Sequence, residues 1–321
     1  MTVCVAVISG EESGRPTIYG VMDQMLTSGD IEFEPPQPKY TILGRSLAVM
    51  FAGESSLHRQ TLDAVRASLA EPGLGVGRAA QIYASQHDAE RRRILETRVL
   101  APLGLDWESW GEQRRMKDAF VLGVKDDLRL ADREIDEFED VETLFVGFDS
   151  SGPHIFATTG RHARTCDDVG FAAIGAGARH AESYLMSRGY TRRASGAEGM
   201  LAAYFAKKRG ETAPGVGKAT DIFLVLALDE EFPGSDSVFD MNHHNRSMEQ
   251  IYVREQERAR ASEEKAKAEL DEYLNARVEA LRKRAREASK RVGAASAEPT
   301  QPPQGRDPAA PQSPEHPKGG S

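Results

Sequence analysis

The sequence predicts an α+β protein in which two antiparallel sheets are covered by helices. Three observations lead there. Short apolar runs bounded by turn residues fall into two blocks, within 2–51 and within 144–226. Segments of helical character stand mostly together between those blocks instead of alternating with single strands. Near residue 240 the composition changes to a proline-free stretch rich in Glu, Lys, Arg and Ala.

Taken in order, Thr2-Val3-Cys4-Val5-Ala6-Val7-Ile8 reads as a buried strand. Residues 2–9 and 16–22 form a hairpin around Gly10-Glu11-Glu12-Ser13-Gly14. Tyr40–Leu43 and Leu47–Phe51 make a second pair, turning at Gly44-Arg45-Ser46. Residues 55–70 and 77–101 read as helices, and a further helical stretch over 107–133 is interrupted by Gly123. Leu144–Phe148 and His154–Thr158 form a hairpin turning at Asp149-Ser150-Ser151-Gly152. Phe171–Ile174 is a short strand, Gly175-Ala176-Gly177 a tight turn, and Ala178–Ser187 the helix it opens. Residues 196–209 are helical and Asp221–Leu226 is a last buried strand.

Beyond residue 240, Gln250 to Arg291 is a helix. Leu270, Leu274, Val278, Leu281, Ala285, Ala288 and Val292 follow spacings of three and four. That stripe is thin and diluted by alanine, so a solvated helix with one weakly packed face is the reading rather than a coiled coil. From residue 293 on, Pro, Gln, Ser and Gly without periodicity imply disorder. The expected organisation is a globular domain over 1–240, a charged helical extension over 241–292 and a disordered tail over 293–321.

Composition excludes several classes. Forty per cent apolar and 28% charged residues describe a soluble globular chain, with no apolar run long enough to span a membrane. No basic region precedes the first apolar segment, so no signal peptide is read. Cys4 and Cys166 cannot build a disulfide framework and read as free thiols of a reducing cytoplasm. The net charge of −9 is unevenly spread: 241–321 holds 15 Lys+Arg against 13 Asp+Glu, and 1–240 holds 26 against 37. Nothing in that pattern is a nucleic-acid footprint.

Two clusters are set aside. Asp236, Asp240, His243 and His244 have helical metal-ligand spacing but read as a surface polar patch, so no metal is expected. Gly73-Leu74-Gly75-Val76-Gly77 lacks the lysine and preceding strand of a phosphate loop and reads as a linker.

The chemistry concentrates at the start of the chain. A methionine before a small residue is normally removed, which would leave Thr2 with a free α-amine beside its hydroxyl, a base and a nucleophile on one residue. An α-amine titrates near 7.7–8.0 in model peptides, so a nearby ammonium helps keep it neutral, and a carboxylate can hold that ammonium. Asp23 follows the second strand, Lys39 precedes the third, and Gly53 ends the fourth in Phe51-Ala52-Gly53. A glycine at a strand end can offer its N–H to a developing oxyanion.

A threonine ahead of a strand, then Asp23 with Thr27-Ser28-Gly29, then a lysine before an apolar hairpin ending in Phe51-Ala52-Gly53: this order resembles the proteasome β-subunit family of N-terminal-nucleophile hydrolases. The gaps of 16 from Asp23 to Lys39 and 14 from Lys39 to Gly53 match the usual family spacings. Gly147-Phe148-Asp149-Ser150-Ser151-Gly152-Pro153 is similar to the family's later hairpin, and Ile174-Gly175-Ala176-Gly177 to its strand-to-helix turn. The short start before Thr2 is similar to the simpler HslV-like members.

The resemblance implies a four-layer αββα sandwich and a threonine-type endopeptidase without cofactor. It makes Thr2 the nucleophile and, through its amine, the general base. Lys39 tunes the amine, Asp23 orients Lys39, and Gly53 supplies the oxyanion donor. Leu26, Thr41, Phe51 and Ser55 would line an apolar substrate pocket. Polypeptide substrates, a homo-oligomeric ring and an ATPase unfoldase are the implied partners. The chain also departs from the pattern. The gap of 21 from Thr2 to Asp23 is longer than usual, an excess placed in the loop at 10–16. Ala176 stands for the usual serine, Glu211 is the nearest carboxylate before the last strand, and Pro214 falls where a second serine is common. The supporting shell at Ala176 and Glu211 is therefore expected to be differently built. Two alternatives stay open: a small-amide hydrolase of the same superfamily, and a non-catalytic scaffold whose helical tail binds a partner.

Overall fold

The computed structural model of the chain describes residues 2–28, 31–53, 55–69, 75–138, 141–227 and 237–295. Contacts divide it into two units between Val253 and Arg254. The first unit is a mixed α+β body with two five-stranded antiparallel sheets.

The first sheet has the order β10-β1-β2-β11-β12, from β1 (Cys4–Ser9), β2 (Thr17–Asp23), β10 (Phe171–Ile174), β11 (Thr220–Leu226) and β12 (Val238–Asp240). Its central strands are apolar at nearly every position because both faces are covered. Cys4, Ala6 and Ile8 point to one side, Val3, Val5 and Val7 to the other.

The second sheet has the order β5-β6-β7-β8-β9, from β5 (Tyr40–Gly44), β6 (Leu47–Ala52), β7 (Glu142–Asp149), β8 (Gly152–Thr159) and β9 (His162–Thr165). Here Ala48, Met50, Leu144, Val146 and Ile155 pack in one cluster with Cys4, Ala6, Ile8 and Phe223 of the first sheet. The sheets thus share a core. A separate ribbon pairs β3 (Leu26–Ser28) with β4 (Ile31–Phe33).

Helices cover the outer faces. Leu47, Val49 and Phe145 pack on Leu62 and Val65 of α1 (Ser55–Ser68) and on Val76, Ala80 and Tyr83 of α2 (Val76–Leu95). Val3, Val5, Val7 and Ile222 pack on Ala181 and Leu185 of α5 (Ala178–Ser187) and on Ala203 and Tyr204 of α6 (Gly196–Gly210). A Ser195/Glu198 capping box starts α6.

Several expectations are corrected. The break in 107–133 does not fall at Gly123. A short α3 (Trp107–Gly111) ends ahead of extended Met116, and α4 (Asp118–Phe138) runs unbroken through Gly123. An interior glycine costs a helix about 1 kcal/mol. Val124, Ala131 and Ile135 offset it by burying one face of α4. The linker assigned to 73–77 is also revised: Gly75 caps α2, which includes Val76 and Gly77, while Gly73 and Leu74 lie outside the described residues. The turn at 149–152 tightens to two residues, because β7 and β8 pair as far as Asp149 and Gly152.

Met248 and the half-buried Ile251 and Tyr252 join the helix-side cluster of the first sheet at the start of α7 (Asn245–Ala295). From Arg254 to Ala288 the helix is exposed at every residue but one. Gly293 does not stop it, so 293–295 are helical where disorder was expected, and 296–321 lie outside the described residues. Among the described residues no helix is long and apolar enough to cross a membrane.

Candidate functional site

The site is built by the register of one hairpin. In the β1–β2 ladder Cys4 faces Met22 and Ser9 faces Thr17. Continued by one step, the pairing sets Val3 opposite Asp23, whose N–H donates to the Val3 carbonyl at 3.2 Å. The Asp23 carboxylate therefore lies beside Thr2. The loop at 10–16 closes the far end of the same hairpin, so its length leaves the site untouched.

Lys39 arrives from the other sheet. Its carbonyl accepts from the Phe51 N–H at 3.1 Å, extending the β5–β6 ladder by one residue. Next to it, Tyr40 stacks on Phe223 of β11 with ring centroids 4.5 Å apart, fixing that strand end against the first sheet. Lys39 Nζ then stands 3.1 Å from both Asp23 oxygens.

Thr2 sits between the two. Its Oγ1 donates to Asp23 Oδ1 and accepts from Lys39 Nζ. All three are out of solvent: Thr2 is 4% exposed, Lys39 7% and Asp23 0%. Asp23 also accepts from the N–H groups of Val3 at 2.9 Å, Met25 at 3.0 Å and Gly217 at 3.0 Å. Five donors thus converge on one carboxylate. A buried ion pair this well hydrogen-bonded is tolerated, whereas removing one partner strands the other.

The turn after β10 closes the site from behind. The Gly177 N–H donates to the Thr2 carbonyl at 3.2 Å, and the Gly175 N–H to Glu142 Oε2 at 2.7 Å. Gly175 has φ +85°, and a Cβ there would lie 2.4 Å from the Thr2 carbonyl oxygen. Both the backbone shape and the approach of Thr2 require glycine. The Cys4 thiol lies beside the triad, held against the Phe51 carbonyl at 3.6 Å. Burial pushes its pKa well up, against the pull of the Lys39 ammonium.

The remaining sequence-predicted residues take these places. Gly53 follows β6, is exposed and has φ +100°, a conformation that favours glycine. Thr41 and Phe51 are half-buried in β5 and β6, where Thr41 Oγ1 accepts from Arg66 at 3.3 Å and Phe51 packs on His58 at 4.9 Å. Leu26 lies on the separate β3–β4 ribbon. Ser55 opens α1, and its side chain lies outside the described residues. Ala176 and Pro214 are exposed. Glu211 binds Lys207 at 2.7 Å and Lys208 at 3.1 Å.

Two features escaped sequence reasoning. Lys207 opens a basic run at the close of α6, which reads as a solvated last turn, yet it is completely buried. Its Nζ meets Glu211 Oε1, the carbonyls of Gly217, Lys218 and Ala219, and Thr220 Oγ1, all within 3.1 Å. Burial lowers its pKa while Glu211 pulls it back up. The second feature is His154, held between Asp167 at 2.7 Å and Asp149 at 2.9 Å, with Ser151 Oγ 2.8 Å from its Nε2. Asp149 also takes the Ser151 hydroxyl at 2.6 Å, so this cluster clamps the β7–β8 turn. Burial raises the Asp149 pKa, but the Ser151 and His154 bonds outweigh it and leave the carboxyl low.

Of the polar patch near 240, Asp236 lies outside the described residues, while the His243 and His244 rings pack tilted with centroids 3.9 Å apart. Among the described residues no group of three His, Cys, Asp or Glu side chains is placed to hold a metal. No protein-family model matches the chain, and a search of curated proteins finds no match.

Proposed function

We propose that this chain is a threonine-type endopeptidase of the N-terminal-nucleophile class, with a four-layer αββα core. The observation that carries the reading is the buried contact of the Thr2 hydroxyl with both Lys39 and Asp23. The succession of helices, sheet, sheet and helices in the core clusters supports the fold.

The chemistry follows from the groups. Removal of Met1 frees the Thr2 amine, which takes the hydroxyl proton as Oγ1 attacks a peptide carbonyl. Lys39 stabilises the developing alkoxide, and Asp23 fixes Lys39. The Gly53 N–H receives the oxyanion. The amine then protonates the leaving nitrogen, and a water activated by the same amine hydrolyses the Thr2 ester. Half-buried Phe51 gives the mouth an apolar wall suited to a hydrophobic side chain. Polypeptide substrates, a homo-oligomeric ring and an ATPase unfoldase belong to the same proposal.

Intact-protein mass spectrometry with and without a threonine-directed covalent inhibitor, beside a peptide-cleavage assay, tests it. Loss of Met1, one inhibitor per chain and loss of both labelling and cleavage in Thr2→Ala are expected. A Thr2→Ala variant with full cleavage, or a chain retaining Met1, overturns it. Two observations favour a non-catalytic scaffold instead: Glu211 is engaged by Lys207 and Lys208, and Ala176 carries no hydroxyl. An intact, Met1-free oligomer that resists labelling selects that reading. Cleavage of small amides but not of peptides selects a small-amide hydrolase.

A further inference from the structure

We propose that α7 is a self-association element, pairing antiparallel with the α7 of a second copy of this chain about a two-fold axis near Asn275. The helix carries Leu270, Tyr273, Leu274, Val278 and Leu281 between 43% and 65% exposed. Most of a helix's stability in water comes from packing an apolar face, and this face is uncovered.

Two features of the helix choose the occupant. The first is the symmetry of the stripe. Ala266, Leu270, Leu274, Val278, Leu281 and Ala285 run small, large, large, large, large, small. Reversed about the midpoint between Asn275 and Ala276, Leu270 meets Leu281 and Ala266 meets Ala285, and Leu274 falls within one residue of Val278. Spacings of four, four, four, three and four exceed the 3.6 residues of a helical turn, which inclines the seam to a right-handed winding. Small residues at both ends let the backbones approach there.

Charge supplies the second argument. Residues 263–272 hold five carboxylates and two lysines, and 277–287 hold five Lys+Arg and two glutamates. Lys267 is already paired with Glu263 at 2.9 Å within the helix, and Lys265 with Glu269 at 3.9 Å. Glu264, Asp271 and Glu272 are left to face outward. An antiparallel partner sets its basic segment along this acidic one and receives the reverse at the other end. A parallel partner stacks like charge on like at both ends, which disfavours it.

Spin labels in the full-length chain test the pairing, since Cys4 and Cys166 are buried. In an antiparallel pair, labels at Ala276→Cys sit within about 20 Å of each other, as neighbouring helices require. Labels at Ser262→Cys sit about 40 Å apart, from some 26 residues of helical rise. Replacing Glu264, Asp271 and Glu272 by Lys should abolish the short distance. Adding Arg282→Glu, Arg284→Glu and Arg286→Glu to that variant should restore it. No short interchain distance at 276, short distances at both positions, or indifference to the charge reversal would each overturn the proposal.

Discussion

The Gly217 N–H donates to the Asp23 carboxylate at 3.0 Å, joining residues 194 apart in the chain. Gly217 belongs to the stretch whose carbonyls are gathered by the buried Lys207 ammonium. Glu211, Lys207, Gly217 and Asp23 form a continuous polar path from the end of α6 to Thr2. Lys207 thereby holds the stretch of backbone whose Gly217 N–H reaches Asp23.

Replacing Lys207 by Met removes the donor and leaves a buried cluster of carbonyls unpaired. Each unpaired buried group costs about 1–3 kcal/mol, so a loss of roughly 2–4 kcal/mol is expected. A denaturant midpoint measures it. The Lys207→Arg variant should not recover stability, because a planar guanidinium does not fit five acceptors around one nitrogen.

Asp23 and Lys39 should couple. Asp23→Asn or Lys39→Met alone strands a buried charge and is expected to cost about 3–5 kcal/mol. The double variant, with neither charge, should lie closer to wild type in urea unfolding than either single one. If the site works as proposed, the double variant remains inactive in peptide cleavage. Simple additivity of the two losses would show that the ion pair is not a unit.

Gly175→Ala tests the close approach of the turn to Thr2. The left-handed backbone alone costs a non-glycine residue about 1–3 kcal/mol. The added methyl also meets the Thr2 carbonyl. Stability should fall, and labelling of Thr2 by a covalent inhibitor should slow even in protein that remains folded. Unchanged labelling in the folded fraction would mean that the turn does not position Thr2.

The Cys4 thiol predicts a pH effect of definite sign. Its pKa in the fold is raised by burial above the unfolded value near 8.5. Above that pH the unfolded chain has lost a proton that the folded chain keeps, so stability falls as pH rises. A Cys4→Ala variant should show a shallower decline above about pH 8.5. In the native wild type, Cys4 should resist iodoacetamide until unfolding.

Strand existence was legible wherever a segment is covered on both faces. The runs at 2–9, 16–22, 144–148 and 221–226 had to be apolar to be buried twice over, and that leaves a mark in one dimension. Two of the four edge strands left none. Short β9 is exposed at three of its four residues, and β12 is three residues long. They exist because a neighbouring strand offers an unpaired edge, which is a tertiary fact. Gly123 misled because a local propensity of about 1 kcal/mol was outweighed by packing along α4.

The sequence by itself put Thr2 and Asp23 at the open ends of one hairpin, while the register that sets Val3 opposite Asp23 was decided by the fold, because β1 and β2 are buried on both faces and carry no alternation to fix it. It also named Lys39 and Gly53 through their spacing. Only the tertiary structure decided how the site is held. The contacts from Gly217, Gly175 and Gly177 come from backbone groups with no side chain to announce them. Lys207 carries a side chain that, in isolation, belongs in water. Its burial depends on four acceptors at residues 217–220, ten or more residues away, beside the local Glu211, and no local pattern encodes that arrangement.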